Sequence, residues 1–592
     1  MSRNAEVADR LEEYADLLEA QGVEYKPNTY RRAAENVREH AAAVEGLADD
    51  GEDAVAEIDG VGDAIASKIV EYLETGSIAE LEEERAKLPV EMDELTAVEG
   101  VGPKTVGSLY EALGVQTLDD LEAAAEANEI RAVSGFGATT EQNILDGIAF
   151  ARQAQERELL GDARPAAEDV LEFLADVDAV ERVDVAGSLR RWKPTIGDVD
   201  VLAASSDGAA VGDALADWER VDDVLDHGDT KTSVRVDGLR VDLRVVVDGE
   251  FGAALQYFTG SKDHNVALRS EAIEQGKKIN EYGVFDVSDV EAEPGAETGD
   301  GDGQRVGQRL AGESEAAVYD AVGFPWIPPE LREDRGELAA ARDGDLPDLL
   351  AGGDVRGDLH THTEWSDGVL TVADLVTGAA EFGHDYLCVT DHAEGPGVVA
   401  DAGLSDADLR EQAAEVRRVR EDTDITVFHG VEANVDADGN VGAVSDDVLA
   451  DLDLVVASPH SGLGDGGGDQ TDRLIRAVEH PHVDVLGHPS GRLINQRPAM
   501  EFDPREVAAA AADAGTALEV NSNPHRLDLW GSAVQAAVEA GATVAVNTDA
   551  HSIPELANVE FGVHTARRGW AEAGDVLNVR DADGVREFLH DS

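Results

Sequence analysis

Seven short apolar segments in the C-terminal part of the chain constrain its fold most strongly, because most end in polar residues of the kinds that bind metal ions. They are Asp358–His362, Tyr386–His392, Ile425–Glu432, Leu454–His460, Val483–His488, Ala517–Asn521 and Val544–His551. The segments between them, such as Val372–Gly383 and Arg505–Ala514, have the pattern of helices. Strands that alternate with helices predict a parallel (β/α)7 barrel, in which all strands end at one mouth.

Histidines are concentrated in the same region, since thirteen of the sixteen lie between positions 360 and 590. Side chains two apart on a strand face the same way, so His360 should lie beside His362, and Asp549 beside His551. A single pair of this kind is more often an ordinary core or surface feature. Several strands that deliver histidine, aspartate or glutamate to one mouth predict a metal site, and these ligands suit Zn²⁺ or Mn²⁺.

A second metal-binding pattern lies at residues 187–200. It begins with a Gly-Ser turn and two arginines, Arg190 and Arg191, which together offer a seat for phosphate. Asp198 and Asp200 follow at the start of an apolar strand and should face the same side. Residues 239–247 alternate like another strand and add Asp242. Three carboxylates beside a phosphate seat predict a two-metal site for nucleotidyl transfer, with Mg²⁺ as the preferred ion.

The N-terminal region is predicted to be helical and to contain repeated glycine turns. Gly60 and Gly62 follow a hydrophobic residue and precede an amphipathic helix, which is typical of a helix-hairpin-helix. The pattern recurs with Gly100, Gly102 and Lys104, and more loosely at residues 133–138. Glycine allows the tight turn, and amides at a helix N-terminus bind phosphate. Three copies predict DNA binding that needs little net positive charge.

Residues 1 to about 335 resemble a family X DNA polymerase, the gap-filling repair group typified by DNA polymerase beta. The matching runs are Gly187–Arg191, Gly197–Asp200, Arg240–Arg244 and Tyr257–Ser261. The resemblance implies that Asp198, Asp200 and Asp242 are catalytic and bind two Mg²⁺ (or Mn²⁺) ions, with Asp242 nearest the primer 3′ hydroxyl. It also implies a set of residues that bind the incoming deoxynucleoside triphosphate or the nascent base pair: Ser188, Arg191, Gly197, Tyr257, Phe258, Gly260, Asn265 and Arg269.

The same resemblance suggests a second activity in the N-terminal region. Lys68 aligns with the Schiff-base lysine of the family's lyase domain, and Lys26 and Tyr30 match residues near that pocket. A lysine at this place in a helix-hairpin-helix is more often a solvated surface group. Ala64 also replaces a family lysine that binds the 5′ phosphate. Both the lyase and the surface interpretation therefore stay open at this point.

The C-terminal motifs resemble a PHP (polymerase and histidinol phosphatase) domain, a trinuclear metal phosphoesterase. The resemblance implies three ions, Zn²⁺ or Mn²⁺, bound by His360, His362, Glu432 and Asp549, by Glu432, His460 and His488, and by Asp367, His392 and His551. All nine expected ligand positions are filled, which favours an active site. Arg492 and His525 lie near the predicted mouth, where either is a candidate contact for DNA phosphate or an ordinary solvated loop residue.

Composition narrows the setting in which this chain works. It has 125 acidic and 47 basic residues, a net charge of −78 and 42% hydrophobic residues. Clear strand and helix patterns favour folded domains adapted to high intracellular salt over disorder, so we predict activity that needs molar salt. The single Cys388 indicates a reducing cytoplasm. The sequence has no recognisable signal peptide and no apolar run of about 18 residues. We therefore expect that the protein is not exported and does not span a membrane.

Together these features predict a multidomain α/β protein that acts as a monomer. It would comprise a helical helix-hairpin-helix region, an α+β nucleotidyltransferase palm and thumb, and a (β/α)7 PHP barrel. The predicted segments are a lyase-like region (1–85), helix-hairpin-helix fingers (86–150), palm (151–245), thumb (246–336), an exposed linker (337–355) and the PHP domain (356–592).

The predicted function is a bifunctional repair enzyme that acts on gapped or nicked DNA. The N-terminal unit would fill short gaps, and the barrel would be a 3′–5′ exonuclease, an abasic-site endonuclease or a 3′ phosphatase. One alternative is a small-molecule phosphatase, related to histidinol-phosphate phosphatase, that carries a DNA-binding anchor. A third hypothesis, a non-catalytic DNA scaffold with structural metals, is disfavoured by the complete ligand sets.

Overall fold

The computed structural model describes residues 3–23, 26–39, 44–56, 58, 60–96, 98, 101–155, 157–288, 305–395, 403–463 and 468–591. The chain divides into two compact units. The first comprises residues 1–155 together with 495–497, and the second comprises residues 156–494 and 498–592. No helix in the described ranges is long and apolar enough to cross a bilayer.

The first unit is helical. Its helices are α1 (Asn4–Ala20), α2 (Lys26–Glu39), α3 (Val44–Asp50), α4 (Glu52–Val55), α5 (Asp63–Thr75), α6 (Ala79–Lys87), α7 (Met92–Thr96), α8 (Pro103–Leu113), α9 (Leu118–Glu126) and α10 (Ala138–Gln155). They bury one shared apolar core that runs from Val7 to Ile148. Helices α5 and α8 each end at a left-handed glycine, Gly76 and Gly114, a conformation that glycine adopts without steric cost.

The second unit begins with the palm. Its elements are β1 (Glu158–Leu159), α11 (Leu160–Ala175), β2 (Arg182–Val185), α12 (Gly187–Arg190), β3 (Thr195–Ile196), β4 (Val199–Ala204), α13 (Gly208–Ala216), β5 (Val221–His227), β6 (Lys231–Val236) and β7 (Leu239–Val246). Five strands form one sheet in the order β2-β4-β7-β6-β5. Strands β6 and β7 form a hairpin through Asp237 and Gly238, which both have positive φ, as a type I′ turn requires.

The thumb follows the palm and is a small α+β layer. Its elements are α14 (Phe251–Thr259), α15 (Lys262–Glu274), β8 (Lys277–Asn280), β9 (Gly283–Asp286), β10 (Gln308–Ala311), α16 (Glu315–Ala321) and α17 (Glu337–Asp343). Residues 342–345 and 351–353 of the expected linker at 337–355 are exposed, but the segment also has buried anchors. Ala341 is buried in the thumb core and Leu350 is buried in the barrel core. The segment is therefore fixed to the thumb at one point and to the barrel at another.

The barrel completes the unit. Its elements are β11 (Gly357–Asp358), α18 (Val372–Phe382), β12 (Tyr386–Val389), α19 (Asp406–Val419), β13 (Thr426–Val435), β14 (Val441–Gly442), α20 (Asp446–Leu449), β15 (Leu454–Ser458), α21 (Thr471–Val478), β16 (Val485–Leu486), α22 (Pro504–Ala514), β17 (Ala517–Asn521), α23 (Gly531–Ala540), β18 (Val544–Asn547), α24 (Val559–Arg568) and α25 (Ala582–Asp591).

Seven of these strands pair in parallel in the order β11-β12-β13-β15-β16-β17-β18, which confirms the predicted (β/α)7 barrel. A parallel bridge between Thr361 and Ala550 links the first strand to the last. Strand β13 is the longest and buries nine of its residues in succession, as expected for a strand covered on both faces. The predicted ligand residues therefore lie within or after the C-terminal parts of the strands, at one mouth.

Candidate functional site

The palm brings its three aspartates together through strand register. Strands β4 and β7 are parallel neighbours, and Asp200 lies directly opposite Asp242. Asp198 is two residues before Asp200 and lies toward the same face. Gly187 has φ +60°, and a Cβ atom there would lie 2.0 Å from Asp200 Oδ2, so the preceding turn touches this carboxylate. We call Asp198, Asp200 and Asp242 the palm triad.

The charges of the palm triad are only partly balanced by protein. Burial, together with the negative charges of Asp198 and Asp242, raises the pKa of Asp200 to about 7. Burial would also raise the pKa of Asp242, but hydrogen bonds from Arg240, whose Nε lies 2.9 Å from Asp242 Oδ1, lower it overall. Lys231 Nζ is 3.4 Å from Asp242 Oδ2. Oxygen ligands with excess negative charge suit a hard divalent cation, so the triad fits Mg²⁺ or Mn²⁺.

The predicted phosphate seat lies beside the triad, but its arginines already have protein partners. Arg190 donates to both oxygens of Glu315 at 2.8 Å, so it joins palm to thumb. Arg191 donates to the Thr259 carbonyl and, at 3.1 Å, to Glu333. Ser188 lies in the short helix α12 that starts this turn. A triphosphate that binds Arg191 must therefore compete with Glu333 and Thr259.

Gly197 and the thumb residues of the predicted nucleotide site flank this seat. Gly197 is exposed, and a Cβ atom there would lie 3.1 Å from Arg157 Nη1. Gly260 has φ +70°, and its Cβ would lie 3.1 Å from Arg191 Nη1, so a side chain there would crowd the arginine. Gly260 ends helix α14, which carries Tyr257 and Phe258 with their rings 5.2 Å apart in an edge-to-face pair.

Asn265 and Arg269 of α15 contact this aromatic pair rather than open space. Asn265 is buried, donates to the Tyr257 carbonyl at 2.8 Å and accepts from Gln256 at 2.7 Å. The Arg269 guanidinium lies over the Tyr257 ring at 5.8 Å. In this arrangement the Asn265 amide positions helix α14, while its predicted role at the nascent base pair stays a prediction.

The helix-hairpin-helix glycines of the first unit begin helices as expected. Gly60 has φ +71°, and Gly62 directly precedes α5. Gly102 directly precedes α8, and Lys104 in its first turn is 78% exposed, with Nζ 3.4 Å from Glu19. Gly100 lies outside the described residues. The two described helix N-termini leave backbone amides directed outward from the turn, as phosphate binding requires.

Lys68 is buried, so its interpretation as a solvated surface group is wrong. Its side chain is 10% exposed, and Nζ lies 3.1 Å from Glu80 and 5.9 Å from the centre of the Tyr14 ring. Tyr30 packs edge-to-face against Tyr14 at 4.8 Å. Burial, the first cause, raises the pKa of Tyr30, although the nearby lysine opposes the shift. Lys68 thus lies beside Tyr14 and Glu80, and lyase chemistry at Lys68 stays a prediction.

The barrel mouth brings all nine predicted ligands together, and we call them the barrel ligand cluster: His360, His362, Asp367, His392, Glu432, His460, His488, Asp549 and His551. Glu432 lies at the centre, with Oε1 2.9 Å from His488 Nε2 and 3.2 Å from His460 Nε2. Its Oε2 is 2.6 Å from His392 Nδ1. These contacts place imidazoles from three strand ends around one carboxylate.

Two further carboxylates extend the cluster. Asp549 Oδ1 lies 3.0 Å from His362 Nε2. Asp367 lies 3.1 Å from His392 Nε2 and 3.3 Å from His551 Nε2. Although burial opposes it, the surrounding histidines hold the pKa of Glu432, Asp367 and Asp549 well below the usual range. The carboxylates therefore stay ionised, as metal ligands must.

Several ligand atoms of this cluster are buried without a hydrogen-bond partner among the described residues. They are His360 Nε2, His362 Nδ1 and Nε2, His392 Nδ1, Glu432 Oε2, His460 Nε2 and His488 Nδ1. Buried polar atoms normally make well-aligned hydrogen bonds. Instead, His362 Nε2, His392 Nδ1, Glu432 Oε2 and His460 Nε2 lie 2.6–3.2 Å from another atom of the cluster, as atoms that share a metal ion do. Imidazole nitrogens and carboxylate oxygens in this number fit divalent metal ions.

The geometric grouping differs from the ligand sets that the resemblance implies. Donor atoms within 4.8 Å of one another fall into three groups. These are His362, Asp367, His392 and His551; His360, His362 and Glu432; and His392, Glu432 and His460. His362 and His392 thus each adjoin two groups, whereas each was predicted in one set. The assignment of ligands to individual ions stays a prediction.

Side chains outside the barrel ligand cluster contact the predicted ligands and orient them. Sequence patterns did not reveal these side chains. Glu519 accepts from His360 Nδ1 at 2.8 Å, which directs His360 Nε2 into the cluster. Asn434 Oδ1 lies 2.7 Å from His460 Nδ1, and Asn521 donates to Asp549 Oδ2 at 2.9 Å. Glu519 and Asn521 both end β17 on the inner face, and that alternation was the one signal that could have identified them.

Arg492 does not reach the mouth as a free phosphate contact. Its side chain donates to the carbonyls of Arg526, at 2.6 Å, and Leu527. His525 is exposed, with its backbone N donating to Asn523. Arg526, which the sequence patterns did not single out, is the arginine beside the cluster, with Nε 3.8 Å from Asp549 Oδ2. In this conformation Arg492 is engaged by the backbone of a neighbouring loop, and whether it contacts DNA phosphate stays a prediction.

Comparison with protein families assigns matching modules in chain order. Helix-hairpin-helix domain models match residues 2–78 and 92–149, the second as a SAM-like tandem. The DNA polymerase beta thumb matches residues 254–333, and the PHP domain matches residues 358–523.

Relatives span the whole chain or one of its parts. The DNA polymerase/3′-5′ exonuclease PolX of Bacillus subtilis (strain 168) is 34% identical over 584 residues, 98% of each chain. DNA polymerase lambda of Rattus norvegicus is 26% identical over 349 residues, 56% of each chain. A probable phosphatase of Thermoanaerobacter sp. (strain X514) is 28% identical over 244 residues, 39% of this chain and 93% of the phosphatase. The predicted family is confirmed: the chain belongs to the family X DNA polymerases that carry a C-terminal PHP domain.

Proposed function

We propose that this enzyme extends a primer across short gaps in DNA and that its barrel removes nucleotides from 3′ ends. The observation that carries the proposal is that one chain holds two complete and separate ligand sets, the palm triad and the barrel ligand cluster. Its similarity to a DNA polymerase/3′-5′ exonuclease along 98% of its length supports both activities together.

In the palm, the chain's own residues prepare a site for a triphosphate and a primer end. The palm triad would hold two Mg²⁺ or Mn²⁺ ions, which when bound stabilise the charge that develops during phosphoryl transfer. Arg191 would bind the triphosphate after it releases Glu333, and Gly260 leaves space beside that guanidinium. Arg240 holds Asp242 ionised, so this carboxylate can bind a cation and orient the primer end.

In the barrel, Glu432 and the surrounding histidines would hold about three Zn²⁺ or Mn²⁺ ions. When bound, such ions polarise a phosphate group and lower the pKa of water. Glu519 fixes the ring orientation of His360, and Asn521 fixes Asp549, so the ligand atoms are already in place. The buried position of Glu432 and His360 keeps bulk water away from these atoms.

We extend the proposal to the setting of the enzyme. The acidic composition supports adaptation to high salt. We further propose that the enzyme works in the cytoplasm, as a monomer, in base excision repair. Residues 1–85 would form the lyase-like segment, and Lys68 would be its nucleophile. Gly60, Gly62, Gly100, Gly102 and Lys104 would contact the DNA backbone, and Ser188, Gly197, Tyr257, Phe258, Asn265 and Arg269 would line the nucleotide site.

One substrate tests both activities. A gapped, 5′-phosphorylated DNA with a labelled primer is incubated in molar KCl with Mg²⁺ or Mn²⁺, with and without deoxynucleoside triphosphates. We expect the primer to lengthen when nucleotides are present and to shorten from its 3′ end when they are absent. A primer that never changes length under any of these conditions, with a folded enzyme, would contradict the proposal.

A small-molecule phosphatase is the second candidate for the barrel, because the barrel region is similar to a probable phosphatase over 93% of that protein. Histidinol phosphate and single-stranded DNA are offered separately to the same enzyme preparation. Release of phosphate from histidinol phosphate without shortening of DNA would favour this candidate. We expect the opposite pattern.

A further inference from the structure

One loop of the barrel mouth is held from both sides, and it places an arginine beside the barrel ligand cluster. The loop covers residues 521–529 and follows strand β17. Its ends are joined because the Asn521 N–H donates to the Asp528 carbonyl at 2.6 Å. The Asp528 carboxylate accepts from the backbone and the hydroxyl of Ser490 at 3.0 and 2.8 Å. Arg492 adds hydrogen bonds to the carbonyls at 526 and 527.

The palm holds the other side of the same loop. Leu527 is 1% exposed and belongs to the apolar core of the palm, next to residues of α11 and β4. Pro524 packs against Gly161 at the start of α11, where a Cβ atom would lie 2.6 Å from Pro524 Cβ. The loop therefore has no room to shift without disturbing either the palm core or the barrel. The side chain between these two anchors, Arg526, starts from a fixed backbone.

Arg526 has hydrogen-bonding capacity that the protein leaves unused. Its Nη1 is buried and has no hydrogen-bond partner among the described residues. Its Nε lies 3.8 Å from Asp549 Oδ2, beyond hydrogen-bond distance, and that oxygen already accepts from Asn521. The Arg526 side chain as a whole is 20% exposed, so part of it contacts solvent. A guanidinium has five N–H donors arranged to match the oxygens of a phosphate.

We propose that Arg526 binds the phosphate group of the nucleic acid at the barrel site and so places it against the barrel ligand cluster. This inference rests on the proposed phosphoesterase function of the barrel. It adds a substrate-binding residue to that site, and it makes the palm a structural support for the barrel's substrate contact through Leu527 and Pro524. Arg492, the other arginine near the mouth, donates to the backbone carbonyls of residues 526 and 527 and so stabilises the loop.

The test separates phosphate binding from metal binding. Wild type, Arg526→Gln and the matched control Arg505→Gln, which changes a 74% exposed arginine of α22, are loaded with Mn²⁺ in molar KCl and desalted. Bound metal is counted by elemental analysis, and the affinity for inorganic phosphate is measured by calorimetry. We expect equal metal content in all three proteins. Phosphate affinity should fall about 10- to 100-fold in Arg526→Gln only, as loss of charge-assisted hydrogen bonds implies.

Activity measurements complete the test. In Arg526→Gln we expect kcat/KM for 3′-end removal from single-stranded DNA to fall by at least the same factor. Primer extension should stay unchanged. Wild-type phosphate affinity in Arg526→Gln would overturn the inference, and so would loss of metal in parallel with phosphate, because Arg526 would then only support Asp549. If Arg526→Gln does not fold, Arg526→Lys is used instead, since lysine keeps the charge but lacks the planar set of donors. Weakened phosphate binding by Arg526→Lys at full metal content would support the inference. Wild-type phosphate affinity in Arg526→Lys would overturn it.

Failure of the underlying function gives a different result. If the wild-type protein binds phosphate through Arg526 but shortens no DNA, the proposed exonuclease is wrong while the phosphate site stands. If the wild-type protein shortens DNA and Arg526→Gln does so equally well with equal phosphate affinity, the exonuclease stands and the role of Arg526 is wrong.

Discussion

The palm and the barrel use opposite chemical means to prepare a site for cations. The palm triad consists of carboxylates alone, and of the three, within the described residues, only Asp242 pairs with cationic side chains. Burial and the two neighbouring carboxylates raise the pKa of Asp200 to about 7, although Arg244 and Arg191 oppose this shift. The barrel ligand cluster pairs every carboxylate with histidines at 2.6–3.6 Å. The palm is therefore electrostatically incomplete without a cation, whereas the barrel is largely balanced by its own side chains.

This difference suggests different responses to the loss of metal. Like charges that face one another destabilise the folded palm until a cation or a proton arrives. Opposite charges that face one another preserve the shape of the barrel mouth and keep its ligands fixed.

The largest effect is expected from reciprocal removal of ligands. Asp198→Ala with Asp200→Ala should reduce primer extension by about three orders of magnitude or more and leave 3′-end removal intact. His360→Ala with His362→Ala should do the reverse. Both reactions are followed on the same labelled gapped DNA. Loss of both activities in either folded double variant would refute independent sites.

The electrostatic imbalance of the palm predicts that Asp200→Asn makes the metal-free protein more stable, by an amount that depends on pH. With a pKa raised from 3.8 to about 7, the folded metal-free chain retains a proton that the unfolded chain releases, so its stability falls as the pH rises through that window. Removing the charge should stabilise the metal-free protein by up to about 4 kcal/mol above pH 7 and hardly at all near pH 4.

This gain is measured by thermal unfolding after chelation, at pH 5 and pH 8, against the exposed palm control Asp217→Asn. Addition of Mg²⁺ should stabilise wild type more than Asp200→Asn. A pH-independent difference between the two proteins would show that the palm triad is not self-repelling and would remove the contrast with the barrel.

For the barrel, orientation of a ligand should matter more than charge balance. Glu519 accepts from His360 Nδ1, Asn547 Nδ2 and the His488 N–H, and a glutamine would offer one oxygen where two now accept. We expect Glu519→Gln to weaken metal binding by the barrel by about 10- to 100-fold without changing primer extension. Metal titration by calorimetry measures this, with exposed Glu539→Gln as the control. Unchanged affinity would mean that the ligands do not depend on this partner.

The smallest effect concerns the surface where palm, thumb and barrel meet. Glu333 accepts from Arg191 at 3.1 Å and from Arg568 at 3.2 Å, and Lys193 lies 3.6 Å away. Burial opposes ionisation, but these cations lower the pKa of Glu333 to about 2. Its contribution to stability is therefore present above pH 4.5 and lost as the pH falls toward 2.

We expect Glu333→Gln to destabilise the second unit by about 1–3 kcal/mol at pH 7 and by less at pH 3. Thermal unfolding at both pH values measures this. Because Arg191 loses a competitor for phosphate, the KM for nucleotide should fall rather than rise. A rise in KM, or a larger loss of exonuclease than of primer extension, would show that Glu333 serves the barrel instead of the palm.

Sequence patterns predicted those parts of the fold that depend on strand periodicity. The facing of Asp200 and Asp242 follows from alternation along two apolar strands, and the seven-stranded barrel follows from strands that recur with helices between them. The gathering of nine ligands at one mouth follows in turn, because all parallel strands end on the same side. These are local regularities, and a single chain displays them directly.

The remaining features depend on packing between distant segments. Lys68 is buried because α1, which carries Tyr14, covers it, and no pattern around residue 68 encodes that contact. Arg492 turns inward to hold a loop more than 30 residues later, with Arg526 brought to the cluster instead. The segment at 337–355 was expected to be exposed, but Ala341 packs into the thumb core and Leu350 packs into the barrel core.

The most direct test of the central claim is to locate cations by anomalous scattering. Crystals grown with Mn²⁺, gapped DNA and a non-hydrolysable deoxynucleoside triphosphate should show anomalous peaks at two places in each molecule. One set should lie between Asp198, Asp200 and Asp242 beside the triphosphate, and the other should lie within the barrel ligand cluster. A bound nucleotide with no manganese at the palm triad would contradict the account of two separate metal sites.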